Sequence, residues 1–332
     1  MTNSRFFVIN EHPEGVPSPS LFKLREQSLS ELGEGEVRIK NSWLSVDPYM
    51  RGRMSGKRTY TEPYELNAPL TGAAIGEVVE SSHEKFKPGD KVRHMGGWRD
   101  VAQLPGNEVE ILPNFDVPEQ AYLGVLGMPG MTAWTGLNVI AGLKSGERVL
   151  VSAASGAVGS LAVQLARLKD CQVIGSAGSQ QKRDWLEHHD VTGIDHHQDL
   201  DELKASLHDA APQGIDVYYE NVGGDMFEAA LDVMNPFGRI AVCGWISGYN
   251  AKDAAPGPAN IAQILMKRLR IQGFIVGEHW EHYRRFLSEV GPQVEAGNID
   301  YQETVEEGLE NTPKAFLRLF EGSNHGKMLV KL

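Results

Sequence analysis

The chain has 332 residues, 41% hydrophobic and 23% charged, enough to hold a large core and two domains. Its net charge of −12 excludes a nonspecific nucleic-acid or anionic-membrane surface, and no basic run with interleaved aromatics occurs. Residues 1–15 lack the apolar core of a signal peptide, no segment reaches the length of a membrane span, and the only cysteines are Cys171 and Cys243. Both fall in expected interior strands and read as small buried hydrophobes, which fits a reducing cytoplasm.

Residues 1–127 read as mostly β. FFVI at 6–9 begins a strand, and EVRIK at 36–40 alternates as a half-exposed strand does. GEVVE at 76–80 and DKVR at 90–93 flank a KPGD turn at 87–90, where proline presets one dihedral and glycine frees another. Short strands with such punctuation predict a compact barrel. GMPGMTAW at 127–134 marks the change to helical and α/β character.

From residue 146 to 277 the pattern alternates. Strands are expected at 148–153, 172–176, 192–195, 215–219, 238–243 and 271–276, with helices between them, which predicts a doubly wound parallel sheet. A loop at 253–258 leads into an expected helix at 261–270. Beyond residue 297 come a strand at 302–305, a helix at 313–320 and a final strand at 327–330, a tail expected to return to the first domain. The expected division is therefore α/β: a β-rich domain from 1–127 and 298–332, and a Rossmann domain from 128–297. No internal repeat occurs.

The stretch VLVSAASGAVGSLAVQLARLK at 149–169 carries the chemistry. A short apolar run long enough for a buried strand ends in the turn Ser155-Gly156-Ala157-Val158-Gly159. Apolar residues then recur at helical spacing through Leu168. A helix N-terminus after such a turn offers free N–H groups and a partial positive charge to a pyrophosphate. Alanine takes the first place of the usual three-glycine fingerprint, at Ala153, ahead of Gly156 and Gly159; a tight turn that binds nothing has the same pattern. An NAD enzyme places a carboxylate about 20 residues on, at the ribose. Here AGSQQK at 177–182 stands instead, and small residues with Lys182 suit a 2′-phosphate, although Lys182 also reads as a solvated helix lysine. The missing acid points to NADPH.

With those residues in view, the chain resembles the zinc-independent branch of the medium-chain dehydrogenase/reductase superfamily. That branch includes leukotriene hydroxydehydrogenase/prostaglandin reductases, plant alkenal double-bond reductases and bacterial curcumin-reductase-like proteins. The likeness rests on five ordered blocks: VDPYMR (46–51), GMPGMTA (127–133), AASGAVG (153–159), YENVGG (219–224) and CGWISGYN (243–250). It implies a GroES-like catalytic domain built from both chain ends around the nucleotide-binding domain, with a cleft between them and a homodimer through the edge strand at 271–276. It implies NADPH contacts from Ser155, Gly156, Ala157, Val158, Lys182, Asn221, Cys243, Gly244, Ser247, Tyr249, Phe274, Val276 and Asn324. His196 stands where many relatives have a tyrosine, so its contact is open.

No metal is expected. There is no CxxC and no cysteine before residue 171, and Gly72-Ala73-Ala74 replaces a ligand-bearing Gly-His-Glu of the zinc enzymes. His188-His189 and His196-His197 lack helical i,i+4 spacing. Without a Lewis acid, the suited chemistry is hydride transfer to the β-carbon of an enal or enone, with a hydrogen-bond donor at the enolate oxygen. Tyr249 is the first candidate donor, with cofactor packing as its other reading. Tyr49 is the second, with a core aromatic as its other reading. Met128, Trp245, Trp280 and Tyr64 are candidate substrate-lining residues. The alternatives are an NADPH quinone oxidoreductase, an alcohol dehydrogenase, and a non-catalytic NADPH-binding sensor; a methyltransferase is disfavoured by the preceding β domain. No nucleic-acid or membrane partner is expected.

Overall fold

The computed structural model describes residues 2–252 and 256–332, so part of the loop expected at 253–258 lies outside the described residues. The chain forms two compact units, residues 1–127 with 303–332, and residues 128–302. Among the described residues no helix is long and apolar enough to cross a membrane.

The first unit begins with β1 (Asn3–Ile9) and β2 (Phe22–Ser28), an antiparallel pair. β3 (Glu36–Ser45) is its central strand and pairs antiparallel with both β4 (Ala74–Ser81) and β6 (Val101–Pro105). β5 (Lys91–His94) and β7 (Val109–Ile111) extend the sheet beyond β4. The helix α1 (Met50–Arg53) is a single turn immediately after β3. At the centre of the core Trp98, fully buried, stacks on Phe22 at 5.5 Å between ring centroids.

The second unit opens with α2 (Met128–Thr135) and holds a six-stranded parallel sheet: β8 (Arg148–Val151), β9 (Gln172–Ser176), β10 (Thr192–Ile194), β11 (Ile215–Glu220), β12 (Met234–Val242) and β13 (Arg270–Gly273). Its order is β10-β9-β8-β11-β12-β13, the doubly wound arrangement whose direction reverses between β8 and β11. The connecting helices are α3 (Gly159–Arg167), α4 (Gln180–His188), α5 (Leu200–Ala210), α6 (Gly224–Val233) and α7 (Gln263–Lys267), followed by α8 (Tyr283–Glu295). All but α7 bury apolar side chains; in α5 these are Leu203 and Leu207, and Asp199 caps the helix by accepting from the Glu202 N–H at 3.0 Å.

The chain then returns to the first unit as β14 (Glu303–Glu307), α9 (Thr312–Glu321) and β15 (Lys327–Lys331). β15 lies between β14 and β3, completing a seven-stranded sheet, and Phe316 of α9 meets the Trp98 ring edge-on at 5.8 Å. Residues 298–302 stay with the second unit, because the Asp300 N–H and carbonyl both bond to the Gln164 amide, at 2.8 and 2.7 Å.

Three local expectations differ. The helix expected at 261–270 spans only Gln263–Lys267, since Arg268 turns left-handed at φ 49° and Arg270 already begins β13. β13 stops at Gly273, and Val276 opens a 3-10 turn to His282. The cysteines flank strands, Cys171 just before β9 and Cys243 just after β12; only Cys171 is fully buried.

Candidate functional site

Four segments expected to hold the nucleotide follow the C-terminal ends of adjacent strands. Residues 152–158 leave β8, Asn221–Gly223 leave β11, Cys243–Tyr249 leave β12 and Phe274–Val276 leave β13. Open α/β sheets bind ligands at that edge, at the point where strand order reverses.

The glycine turn is built around close backbone contact. Ala153 sits at φ 48°, a left-handed conformation more natural to the glycine of the usual fingerprint. The Gly156 N–H closes the turn on the Ala153 carbonyl at 3.0 Å. Helix α3 starts at Gly159, where a Cβ would stand 2.3 Å from the Ala153 carbonyl oxygen, so a side chain cannot be admitted. The turn Ser155–Val158 thus lies at the N-terminal end of α3, where the Ser160 N–H donates back to the Gly156 carbonyl at 2.9 Å.

Beside it, α4 begins after Ser179, whose hydroxyl accepts from the Lys182 N–H. Lys182 is half-buried in the first turn, and burial lowers its pKa. His196, just beyond β10, lies near enough for the Lys182 charge to act on its imidazole; burial first, then His197, holds its pKa at about 4. Its Nδ1 is buried without a hydrogen-bond partner. A neutral imidazole with an orphaned nitrogen can offer one N–H to a ligand oxygen. The contact of His196 that the sequence left open is, within the chain, with His197, whose ring lies 4.6 Å away between centroids.

Across the strand-order reversal, a polar network joins the two halves of the sheet edge. The Ser152 hydroxyl donates to Glu220 Oε1 at 2.8 Å and accepts from the Asn221 N–H at 2.8 Å. The Asn221 side-chain amide donates to the Ser152 carbonyl at 2.7 Å. Glu220, fully buried, also accepts from the Tyr218 hydroxyl and from the N–H groups of Val222 and Gly223. Burial raises its carboxyl pKa against those bonds. Motif reading does not single out Ser152 or Glu220; the available signal is a carboxylate at the carboxyl end of an otherwise apolar strand.

The loop after β12 is pinned to that network. The Cys243 and Gly244 N–H groups donate to the Glu220 carbonyl, at 2.8 and 3.2 Å, and Ser247 donates through both backbone and hydroxyl to the Val222 carbonyl. The Cys243 thiol is pushed up to about 12, chiefly by burial, so it remains neutral. Tyr249 is half-buried with its hydroxyl above Gly244, where a Cβ would stand 3.7 Å from it. Burial first, then Cys243, raises the phenol pKa, so Tyr249 is a neutral donor at pH 7. Trp245 packs on Phe227 with centroids 5.3 Å apart and closes over Gly223, at φ 79°. Phe274 is buried, its N–H donating to the Val242 carbonyl at 3.3 Å, and Val276 is half-buried.

Tyr49 and Asn324 belong to the first unit. Tyr49 is half-buried against the Trp98 core, its pKa raised well above the usual value by burial and then Asp47. Asn324 precedes β15, its amide donating to the Gly326 carbonyl at 3.0 Å. Tyr64 is core rather than substrate lining: it is buried, donates to the Thr71 carbonyl at 2.6 Å and carries Arg53 over its ring. Among the described residues, three side chains that could ligate a metal gather at His279, Glu281 and His282, with donor atoms within 4.8 Å; neither cysteine joins such a group.

A family model for the N-terminal domain of oxidoreductases matches residues 5–112, and one for zinc-binding dehydrogenases matches residues 157–291. The chain is similar to an NADPH-dependent curcumin reductase of Escherichia coli, with 40% identity over 99% of this chain and 97% of that one. It is equally similar to a tobacco NADP(+)-dependent 2-alkenal reductase, 40% identical over 97% and 96% of the two chains. The crystal structure of CurA from Vibrio vulnificus in complex with NADPH superposes with a TM-score of 0.93 at 38% identity, covering 98% of each chain. The chain belongs to the zinc-independent medium-chain dehydrogenase/reductases. The division into two units matches the plan of the medium-chain oxidoreductases, a catalytic domain plus an NADP-binding domain. The second family match spans both cysteines, Cys171 and Cys243, and the His279–Glu281–His282 group, which neither cysteine joins.

Proposed function

We propose that this protein is an NADPH-dependent reductase of the carbon–carbon double bond of α,β-unsaturated aldehydes and ketones, acting as a homodimer. The observation that carries the reading is the second unit's sheet edge. A glycine turn at a helix N-terminus, a Lys182–His196 anion pocket without a ribose-binding acid and the pinned Cys243–Tyr249 loop together suit NADPH.

When bound, the nicotinamide supplies a hydride to the substrate β-carbon. The protein's own groups do the remainder. The Ser155–Val158 turn would hold the pyrophosphate at the N-terminus of α3, and Lys182 with His196 would hold the 2′-phosphate. Asn221, fixed by Ser152, and the Cys243–Tyr249 segment orient the nicotinamide end. Electron density from the breaking double bond moves onto the carbonyl oxygen, where the neutral Tyr249 phenol donates a hydrogen bond; Tyr49 is the second candidate donor. A proton from solvent then completes the α-carbon, so one NADPH is oxidised for each double bond saturated.

The test follows NADPH and NADH absorbance with enals, aryl enones, curcumin and quinones, with and without a chelator. Chelator-insensitive, NADPH-preferring loss of enone supports the reading. Oxidation by quinones alone replaces it with quinone reduction, and NADPH binding without turnover replaces it with a sensor.

A further inference from the structure

A buried ion pair forms around Asp47, two residues before Tyr49. Lys327, 4% exposed, opens β15 and donates from Nζ to the Val46 and Met328 carbonyls, at 2.8 and 2.9 Å. The same Nζ lies 3.1 Å from Asp47 Oδ1, and Asp47 is itself 4% exposed. The other Asp47 oxygen accepts from the Ser45 hydroxyl at 2.5 Å. Burying such a pair costs solvation that attraction often fails to recover, whereas a well-packed apolar pair would avoid that cost. A fixed geometry is the gain that the neighbouring bonds identify.

That geometry surrounds Tyr49. The Met50 N–H donates to the Asp47 carbonyl at 3.1 Å, the Gly52 N–H to the Tyr49 carbonyl at 3.0 Å, and the Trp98 indole to Met50 Sδ at 3.4 Å. Arg51 donates to the Gly15 carbonyl at 2.7 Å. Tyr49 is therefore held from both sides along the backbone, and on the Asp47 side the anchor is Lys327, which starts from the far end of the chain. We propose that Lys327 is a positioning residue, which through Asp47 and the Val46 carbonyl sets the aim of the Tyr49 phenol. The proposal rests on the reading that Tyr49 contacts substrate or nicotinamide during reduction.

A four-variant cycle tests it: wild type, Lys327→Met, Tyr49→Phe and the combination, with trans-4-phenylbut-3-en-2-one as substrate and NADPH affinity followed by fluorescence. If Lys327 acts through Tyr49, each single change lowers kcat about 10- to 100-fold, the scale of misplacing or losing a catalytic contact. The combination then falls no further than Tyr49→Phe alone, while NADPH affinity stays within about twofold of wild type. Multiplying losses, unchanged turnover in either single variant, or a lost NADPH affinity overturns the proposal. If Lys327→Met fails to fold because Asp47 is left buried and unpaired, the cycle is run with Lys327→Met/Asp47→Asn, which removes both partners. Wild-type protein that binds NADPH but leaves the enone intact overturns the functional reading instead.

Discussion

Tyr249 tests the enolate donor most directly. Its phenol is neutral at pH 7, as an ordinary phenol is, and burial raises its pKa further. Tyr249→Phe should lower kcat for an enone about 100-fold, in line with removing one donor to a developing oxyanion, with little change in NADPH affinity. Unchanged turnover would limit Tyr249 to packing. Lys182→Ala should weaken NADPH about 10- to 100-fold and leave NADH nearly unchanged, a charged hydrogen bond being worth about 1.5–3 kcal/mol. Equal losses for both cofactors would remove Lys182 from the 2′-phosphate pocket. A separate residue effect concerns acid stability. His94 is buried in β5, accepts the Gly96 N–H on Nδ1 at 3.0 Å, and is held at a pKa of about 3, chiefly by burial. The unfolded chain binds this proton below about pH 6.5, while the folded chain resists it down to about 3, so stability present above pH 6.5 is lost as pH falls through that window. His196, lowered to about 4, acts in the same direction. Urea unfolding of wild type should lose about 2 kcal/mol per such buried histidine between pH 6.5 and 5, and His94→Gln should flatten the slope. A slope unchanged by the substitution would assign the acid lability elsewhere.

At the scale of elements, the turn between β8 and α3 makes two predictions of opposite sign. Ala153 occupies a left-handed conformation that costs an L-residue about 1 kcal/mol, so Ala153→Gly should leave stability unchanged or raise it by up to about 1 kcal/mol. Gly159→Ala would drive a Cβ against the Ala153 carbonyl and should lose about 1–3 kcal/mol together with nucleotide affinity. Thermal unfolding with and without NADPH measures both; a neutral Gly159→Ala would mean that helix and strand can separate cheaply. This turn was legible in sequence because its strand, glycines and helix follow one another within about twenty residues. Glu220 and Lys327 were not, since what makes them matter is a partner far along the chain: Ser152 for one, Asp47 for the other. The ends of α7 and β13 were misplaced for a similar reason. Arg268 leaves the helical region although arginine is a good helix former, and β13 runs only as far as its pairing with β12 at Gly273.

At the scale of the molecule, the return of the tail to the first unit was readable as a change of pattern near residue 297, while its depth in the core was not: Phe316 and Phe22 both meet Trp98. The assembly proposal has a further physical footing in the second unit. β13 is the outer strand of the parallel sheet, with hydrogen-bonding groups on one side unpaired by any other strand of that sheet. Close in sequence, Leu265 and Met266 of α7 are 81% and 58% exposed, and Ile261, in the turn before α7, is 57% exposed. Two copies joined through antiparallel β13 strands would extend one sheet into twelve strands, and a two-fold axis would let this apolar segment face its own copy. Light scattering of the purified protein should then give twice the 36.5 kDa chain mass at micromolar concentration. Leu265→Glu, a charge placed on the face that the partner would cover, should shift the population toward monomer and leave the buried core untouched. Wild type scattering as a monomer would end the homodimer proposal, and a dimer indifferent to Leu265→Glu would move the interface away from α7 and β13.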